Sequence, residues 1–307
     1  MNAGHDYEGD GESDVFVQAP GSCGELVQGT IDGNNFLITC PVDMYTRVTV
    51  CLGGKRLAAG EKTVEAVKRT LDYLGIGSMP FSVTVESDLL QGKGMASSSA
   101  DISAACQAAA LAVGKTLTED EIADIALSIE PTDGVFYPGI VMFDHVSGSI
   151  RRYLGIPPAI AIAIFDFGGE VDTLQFNGRS DLAVLNKAKE PLVLQAVELV
   201  RLGLLKGDAA LIGKGATLSA LANQYILPKK CLPKIIEIVR EYGAVGVNTA
   251  HSGTVVGVLF ADLDYGRIEA GIKAIKKACP EIEYLRTVQM VGGGLIIEGD
   301  YGYERYG

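Results

Sequence analysis

The pattern of apolar positions switches along the chain between period two and period three to four. Residues 61–74 carry Val64, Val67, Leu71 and Leu74, the spacing of one buried helix face. Phe81-Ser82-Val83-Thr84-Val85 alternates strictly, which predicts a half-buried strand. Upstream, Val15-Phe16-Val17 predicts a short strand ending at Ala19-Pro20-Gly21, and the β-branched and aromatic runs 36–42 and 47–52 predict two more. An Ala-rich stretch predicts a helix over 97–113. Another begins at Thr118, where Thr118 and Glu121 have capping-box spacing, and ends near Glu130 because Pro131 cannot continue it. Apolar runs at 140–143 and 160–167 predict strands. Farther on come helices near 191–205, 208–222, 231–242 and 267–278, and strands near 244–248, 254–260, 284–290 and 295–298. This order predicts an α+β fold rather than a strict doubly wound sheet, and no internal repeat is visible.

At 307 residues the chain is long enough for two domains. The Gly155-Ile156-Pro157-Pro158 stretch is the expected boundary, giving units over 15–155 and 156–307. Residues 1–14 contain Asp6, Glu8, Asp10, Glu12 and Asp14 with little apolar content and are expected to form a disordered acidic tail. The net charge of −12 argues against nucleic acid as a partner and against an anionic membrane surface. Any phosphate must therefore be held by backbone amides, helix N-termini and a metal ion. The longest apolar stretch, 160–165, is far too short to span a bilayer. The six cysteines contain no C-x-x-C pair, and residues 1–14 are not expected to act as a signal peptide. The expectation is reduced thiols in a cytoplasmic protein.

The richest segment chemically is Gly92-Lys93-Gly94-Met95-Ala96-Ser97-Ser98-Ser99-Ala100-Asp101, which follows a strand and opens into the Ala-rich helix. Glycines let a backbone turn tightly around an anion, and a helix start offers unpaired N–H donors with the positive end of the dipole. The serine hydroxyls add ligands for phosphate or Mg²⁺. Neither G-x-x-x-x-G-K-[ST] nor G-x-G-x-x-G occurs here, so the segment is neither a P-loop nor a Rossmann fingerprint. The alternative is a Gly-rich turn closed by a serine N-cap. Of the histidines, His5 lies in the tail, while His145 and His251 could each serve structure or substrate. H-E-x-x-H and G-x-S-x-G are both absent, which disfavours a zinc hydrolase and a serine hydrolase.

The loop resembles the phosphate-binding motif of the GHMP kinases, the family of galactokinase, homoserine kinase, mevalonate kinase and phosphomevalonate kinase. Gly94, Ser97 and Ser98 match; Met95 replaces a leucine, and Leu90 stands where a proline is usual. Ala19-Pro20-Gly21-Ser22-Cys23-Gly24-Glu25-Leu26-Val27-Gln28-Gly29 resembles the family's opening motif. Gly246-Val247-Asn248-Thr249-Ala250-His251-Ser252-Gly253-Thr254-Val255 occupies the place of its third motif, with the glycine cluster thinned. Together with Glu130-Pro131-Thr132-Asp133 and Phe143-Asp144-His145, these segments resemble the branch that phosphorylates L-threonine in cobalamin synthesis and propanediol utilisation.

The resemblance implies a two-domain fold, with a ribosomal-protein-like nucleotide-binding domain over 15–155 and a ferredoxin-like domain over 156–307. It implies an ATP- and Mg²⁺-dependent phosphotransferase making L-threonine O-3-phosphate. It places ATP on Gly92, Lys93, Gly94, Met95, Ala96, Ser97, Ser98 and Ser99. Asp133 is set near the acceptor hydroxyl with Lys93 beside it, and Mg²⁺ on Ser98 and Glu130, with Glu121 competing for that role. An amino-acid substrate needs a cation for its carboxylate and an acceptor for its ammonium. Arg47 and Lys93 are the cationic candidates, Glu25, Asp43 and Asp144 the anionic ones, and His145, His251 and Ser252 are further substrate candidates. The choice among them stays open, as does monomer or homodimer. A kinase for homoserine or another hydroxylated metabolite, and a non-catalytic nucleotide-binding relative, remain as alternatives.

Overall fold

One mixed eleven-stranded sheet organises the computed structural model, which describes residues 16–169 and 179–298. At its centre, β1 (Phe16–Ile31) and β2 (Asn34–Leu52) form a long hairpin closed by Asp32 and Gly33, both at positive φ (51° and 80°). Two-residue hairpin turns need that conformation. From edge to edge the order is β10 (Glu283–Gln289), β7 (Ala161–Asp166), β9 (Val255–Phe260), β8 (Ala244–Thr249), β1, β2, β4 (Phe81–Ser87) and β3 (Leu57–Ala58). Off this path, β11 (Ile296–Glu298) pairs with β1, β5 (Ile140–Phe143) with β2, and β6 (Arg151–Gly155) with β5. The registered β1–β8 pairing is the single position Glu25–Thr249; β11 on β1 and the Val42–Met290 and Gly139–Gly293 bridges also join the first half of the sheet to the second.

Helices α1 (Glu61–Tyr73), α2 (Ser97–Ala112) and α3 (Glu119–Ile129) accompany the first half. The second half carries α4 (Leu182–Lys206), α5 (Ala209–Ala222), α6 (Leu232–Arg240) and α7 (Tyr265–Ala278). Its alanines explain where α2 sits. Ala100, Ala104, Ala105, Ala108, Ala109 and Ala110 are all buried, and a helix apolar on every side belongs inside. One core cluster joins α2 to β1, β2 and the inner faces of α4 and α5. A second lies under α6 and α7 against β7 and β9, around Phe165, Leu232, Ile235 and Phe260.

The periodic helices and the alternating strand lie close to their expected places, and the Thr118 capping box is present. Other expectations need correction. The first strand does not end at Pro20-Gly21: β1 runs on to Ile31, and register shifts after Pro20 and on both sides of Glu25 absorb the irregularity. The two strands expected at 36–42 and 47–52 are one, because Tyr45 and Thr46 between them stay in the ladder, opposite Pro20 and Ala19. Pro191 does not start a helix but sits inside α4, which begins nine residues earlier. The short strands β3 and β6 carry no clear sequence signal. The expected tail, 1–14, and the first strand residue, Val15, lie outside the described residues. The stretch from Gly155 to Pro158 connects β6 to β7.

Three backbone segments interlock at the middle of the sheet. Ser22 N–H donates to Met95 O (2.9 Å) and Gly24 N–H to Gly94 O (3.0 Å), while Thr254 and Val255 N–H both donate to Lys93 O (2.9 and 3.1 Å). The contact leaves no room for side chains. A Cβ on Gly94 would lie 2.3 Å from Ala250 Cβ, and one on Gly253 would lie 2.4 Å from Lys93 O. Gly253→Ala is therefore expected to lower unfolding stability by about 1–3 kcal/mol. Gly60→Ala, at ordinary φ with nothing within 4 Å of the new Cβ, should change it little. Denaturant unfolding of the two variants side by side checks this.

Candidate active site

The loop ahead of α2 turns on Gly92 and Gly94, both at positive φ (71° and 84°), and on Ala96 at 54°. Ala96 is the N-cap, and no side chain caps the helix. The alternative of a serine N-cap is thereby set aside: Ser97, Ser98 and Ser99 form the first turn itself. Their backbone N–H groups stay open to an incoming acceptor, with the helix dipole behind them.

A cavity of about 530 Å³ opens in front of that turn. Gly92, Gly94, Met95, Ala96 and the three serines line one wall. Residues 60–63, at the start of α1, line another; α1 too has no side-chain cap at its N-cap, Gly60. Glu130, Pro131, Thr132 and Asp133, beyond α3, close a third, and Glu25, Gln28, Asp101, His145 and Ser252 are among the other lining residues. Pro131 ends α3, so Glu130 takes extended backbone and its side chain faces the loop. The Ser98 hydroxyl donates to Glu130 Oε1, and Lys62 Nζ forms an ion pair with Oε2.

Asp133 is partly exposed in the wall, and its N–H donates to Ser99 Oγ at 2.9 Å. Burial, then the nearby charges of Glu25 and Glu130, push its carboxyl up to about 7. Glu25 is likewise raised to about 7 by burial, against the pull of the His251 N–H, Lys229 and Lys189. Its Oε2 accepts from the His251 backbone N–H (2.8 Å) and lies 3.0 Å from His251 Nδ1, while His251 Nε2 lies 3.1 Å from Ser219 Oγ. Burial and then the two lysines hold His251 well below the ordinary histidine range, so it is neutral at pH 7. Lys189 and Lys229 are themselves pushed down to about 8 by burial. Lys229 donates to Ala250 O (2.7 Å) and Lys189 to Asn223 Oδ1 (3.2 Å). Three buried atoms of the lining residues have no hydrogen-bond partner: Gln28 Oε1, Thr132 Oγ1 and His145 Nδ1.

The structure thus gathers Glu25, Glu130, Asp133, His145, Ser252 and the loop around one cavity. Other candidates fall elsewhere. The Lys93 side chain leaves the cavity for Asp166 Oδ2 (2.8 Å) and Gly169 O (2.7 Å), so its charge is already spoken for. Exposed Asp43 accepts from Gln289 N–H at 2.7 Å, on β10 rather than in the cavity. His251 lies buried behind Glu25 rather than in the lining. Asp144 is enclosed by its own turn: burial opposes its charge, but Ser147, Ser149 and the Val146 and Ser147 amides hold it down to about 2. Arg47 stacks over Phe16, 4.0 Å from the ring centroid, and Glu121 is occupied by the capping box and Tyr73. Lys62, Gln28, Thr132 and Asp101 were not anticipated as lining residues. None belongs to a spacing pattern of its own, although Gln28, Thr132 and Asp101 fall inside quoted motifs.

With that geometry in view, comparison with known proteins gives a consistent picture. The GHMP kinases N terminal domain matches residues 61–137, and the GHMP kinases C terminal domain matches 200–281. An L-threonine kinase of Salmonella typhimurium is 32% identical over 295 residues, covering 94% of this chain and 97% of its own. An L-threonine kinase of Citrobacter freundii is 33% identical, covering 92% of this chain and 100% of its own. The chain belongs to the GHMP kinase family. GHMP kinases are ATP-dependent, and this one is a phosphotransferase acting on a small molecule. Solved structures share the two-domain α+β fold. A homoserine kinase from Cytophaga hutchinsonii superposes with a TM-score of 0.70 at 18% identity, covering 96% of this chain and 100% of its own. A Lactococcus lactis galactokinase complexed with galactose also gives 0.70, at 11% identity, covering 94% and 96%. The loop glycines and the uncapped start of α2 lie within the stretch that the N terminal domain matches. No helix among the described residues is long and apolar enough to cross a membrane.

The Asp133 environment has a stability consequence. The folded carboxyl titrates near 7, above its ordinary 3.8, so the folded chain holds that proton more tightly than the unfolded chain. Its unfavourable contribution therefore grows as pH rises from about 4 to 7 and is constant above. Asp133→Asn should raise Tm at pH 8, by roughly 2–4 °C if about 1 kcal/mol is relieved. The gain should vanish toward pH 4, and thermal unfolding at pH 4, 6 and 8 reads it directly.

Proposed function

We propose that this GHMP kinase transfers the γ-phosphoryl group of ATP to the side-chain hydroxyl of L-threonine, giving L-threonine O-3-phosphate. The observation that carries the reading is the uncapped start of α2 facing Asp133 and the Ser98–Glu130 pair across one cavity. The two relatives named L-threonine kinase, each matched over nearly its whole length, support the choice of acceptor. Cobalamin synthesis is the setting the relationship suggests. The six unbridged cysteines accord with a cytoplasmic location.

The Ser97, Ser98 and Ser99 amides receive the triphosphate oxygens, and the loop glycines let the backbone approach them closely. The Ser98 hydroxyl and Glu130 carboxylate form a hard-oxygen pair suited to Mg²⁺, which typically takes one or two protein oxygens and leaves the rest to phosphate and water. When bound, Mg²⁺ would neutralise charge on the phosphates. Asp133 accepts the proton of the threonine hydroxyl; its raised proton affinity suits it to that role near neutral pH. Positioning and charge neutralisation carry most of such a transfer. Glu25, Gln28, Thr132, His145 and Ser252 face the acceptor, and Glu25 offers a carboxylate to its ammonium group. Lys93 acts by holding the loop to Asp166 rather than by touching the reacting atoms.

A substrate panel tests the proposal. ADP release with L-threonine should exceed that with serine, homoserine and mevalonate; equal or greater stimulation by homoserine would shift the assignment to that substrate. Asp133→Asn should reduce kcat by about 10²–10⁴-fold while the protein stays folded. Ser98→Ala should raise the KM for MgATP with little loss of stability. Unchanged nucleotide kinetics in that variant would remove the loop from the nucleotide site.

A further inference from the structure

The lining of the cavity is strongly unbalanced in charge. Glu25, Glu61, Asp101, Glu130 and Asp133 bring carboxylates to it, and Lys62 is the one cationic side chain among the lining residues. A triphosphate entering this space meets repulsion from several sides. Two uncapped helix starts, at α1 and α2, offset part of it. They cannot hide Glu130, which stands directly on the loop through its bond to Ser98.

Lys62 sits in the first turn of α1 and reaches across to Glu130 Oε2. Both Glu130 oxygens are thus occupied, one by the loop hydroxyl and one by the ammonium. The Glu130 carboxylate is mostly covered, with 12% of its side chain exposed, whereas Lys62 is 51% exposed. The lysine is therefore the partner free to turn. An exposed ion pair of this kind contributes little stability by itself, so its value is to be sought in what Lys62 does to charge at the cavity.

We infer that Lys62 is a mobile counter-charge for the nucleotide, neutralising Glu130 while the site is empty and passing to the phosphates when Mg²⁺ takes its place on Glu130. The inference rests on the reading of Ser98 and Glu130 as the metal-binding pair. In the empty site Lys62 lowers the repulsion that Glu130 would exert on incoming phosphate. In the loaded site its flexible four-carbon stem and three rotatable donors let it follow phosphate oxygens without rearranging the backbone. It acts beside the metal and competes with it for one carboxylate.

That competition gives a signature which a merely structural salt bridge lacks. Lys62→Met keeps the stem and removes the charge. It should weaken MgATP and MgADP binding, measured calorimetrically without acceptor, by roughly tenfold or more, the effect of losing one charge-assisted contact. The free Mg²⁺ concentration giving half-maximal turnover should fall, because nothing then competes for Glu130. The KM for threonine should stay within about twofold, and Lys62→Arg should restore most of the nucleotide affinity. Nucleotide binding within about twofold of the parent in Lys62→Met would overturn the inference, as would a Mg²⁺ requirement that rises. A parent enzyme that phosphorylates threonine while Lys62→Met behaves normally leaves the proposed activity standing and removes only the role of Lys62. Loss of threonine turnover in the parent itself would instead strike at the proposed activity, and the calorimetric nucleotide binding would still decide the role of Lys62.

Discussion

The contact on which the rest depends is backbone against backbone, where β1, the loop before α2 and the loop after β8 meet. Hydrogen bonds from Ser22, Gly24, Thr254 and Val255 all end on carbonyls of Lys93, Gly94 and Met95. They form only because Gly24, Gly94 and Gly253 present no side chain at the crossing. Such close approach fixes the loop, and with it the direction in which α2 opens. Held by its neighbours, the loop needs no capping side chain, and the amides of the first turn remain available. A helix start capped by its own serine would be more stable alone and poorer as an anion site.

Charge follows from that arrangement. An acidic protein can handle a triphosphate if the attraction is local and built from dipoles, with few cations. Here the cations near the site, Lys62 apart, are either committed or sheltered. Lys93 is tied to Asp166, while Lys189 and Lys229 lie under Glu25, where burial weakens their hold on protons. Those two lysines keep a buried carboxylate at the floor of the cavity tolerable, and neutral His251 fixes its orientation. Desolvation then does for Glu25 and Asp133 what a basic environment would prevent: it keeps their proton affinity high near neutral pH.

Much of the fold could be read directly from the sequence because its signals are local. The period of α1, the alternation of β4 and the Thr118–Glu121 box each depend on residues within a few positions of one another. What escaped depends on partners far away. Pro20 looks like a strand breaker until the long β1–β2 hairpin, with its bulges, is seen to carry it. Pro191 looks like a helix start until α4 proves to be already under way. The site divides the same way. The 92–99 loop and Asp133 stand in contiguous motifs, so their identities mark them. Lys62 becomes a site residue only because α1 points at the end of α3; Lys93 and Asp43 look chemically apt until their tertiary partners appear, and Asp144 until its own turn closes on it.

The single registered pair between β1 and β8, Glu25 with Thr249, gives the architecture a further meaning. Ladder bonding between β1 and β8 falls on the same residue that lines the cavity. The packing of the second half bears on Glu25 through Thr249 and on the loop before α2 through the Thr254 and Val255 bonds to Lys93 O. One strand, β1, thus ties both walls of the cavity to the second half of the sheet, so neither wall can shift without the scaffold that carries it.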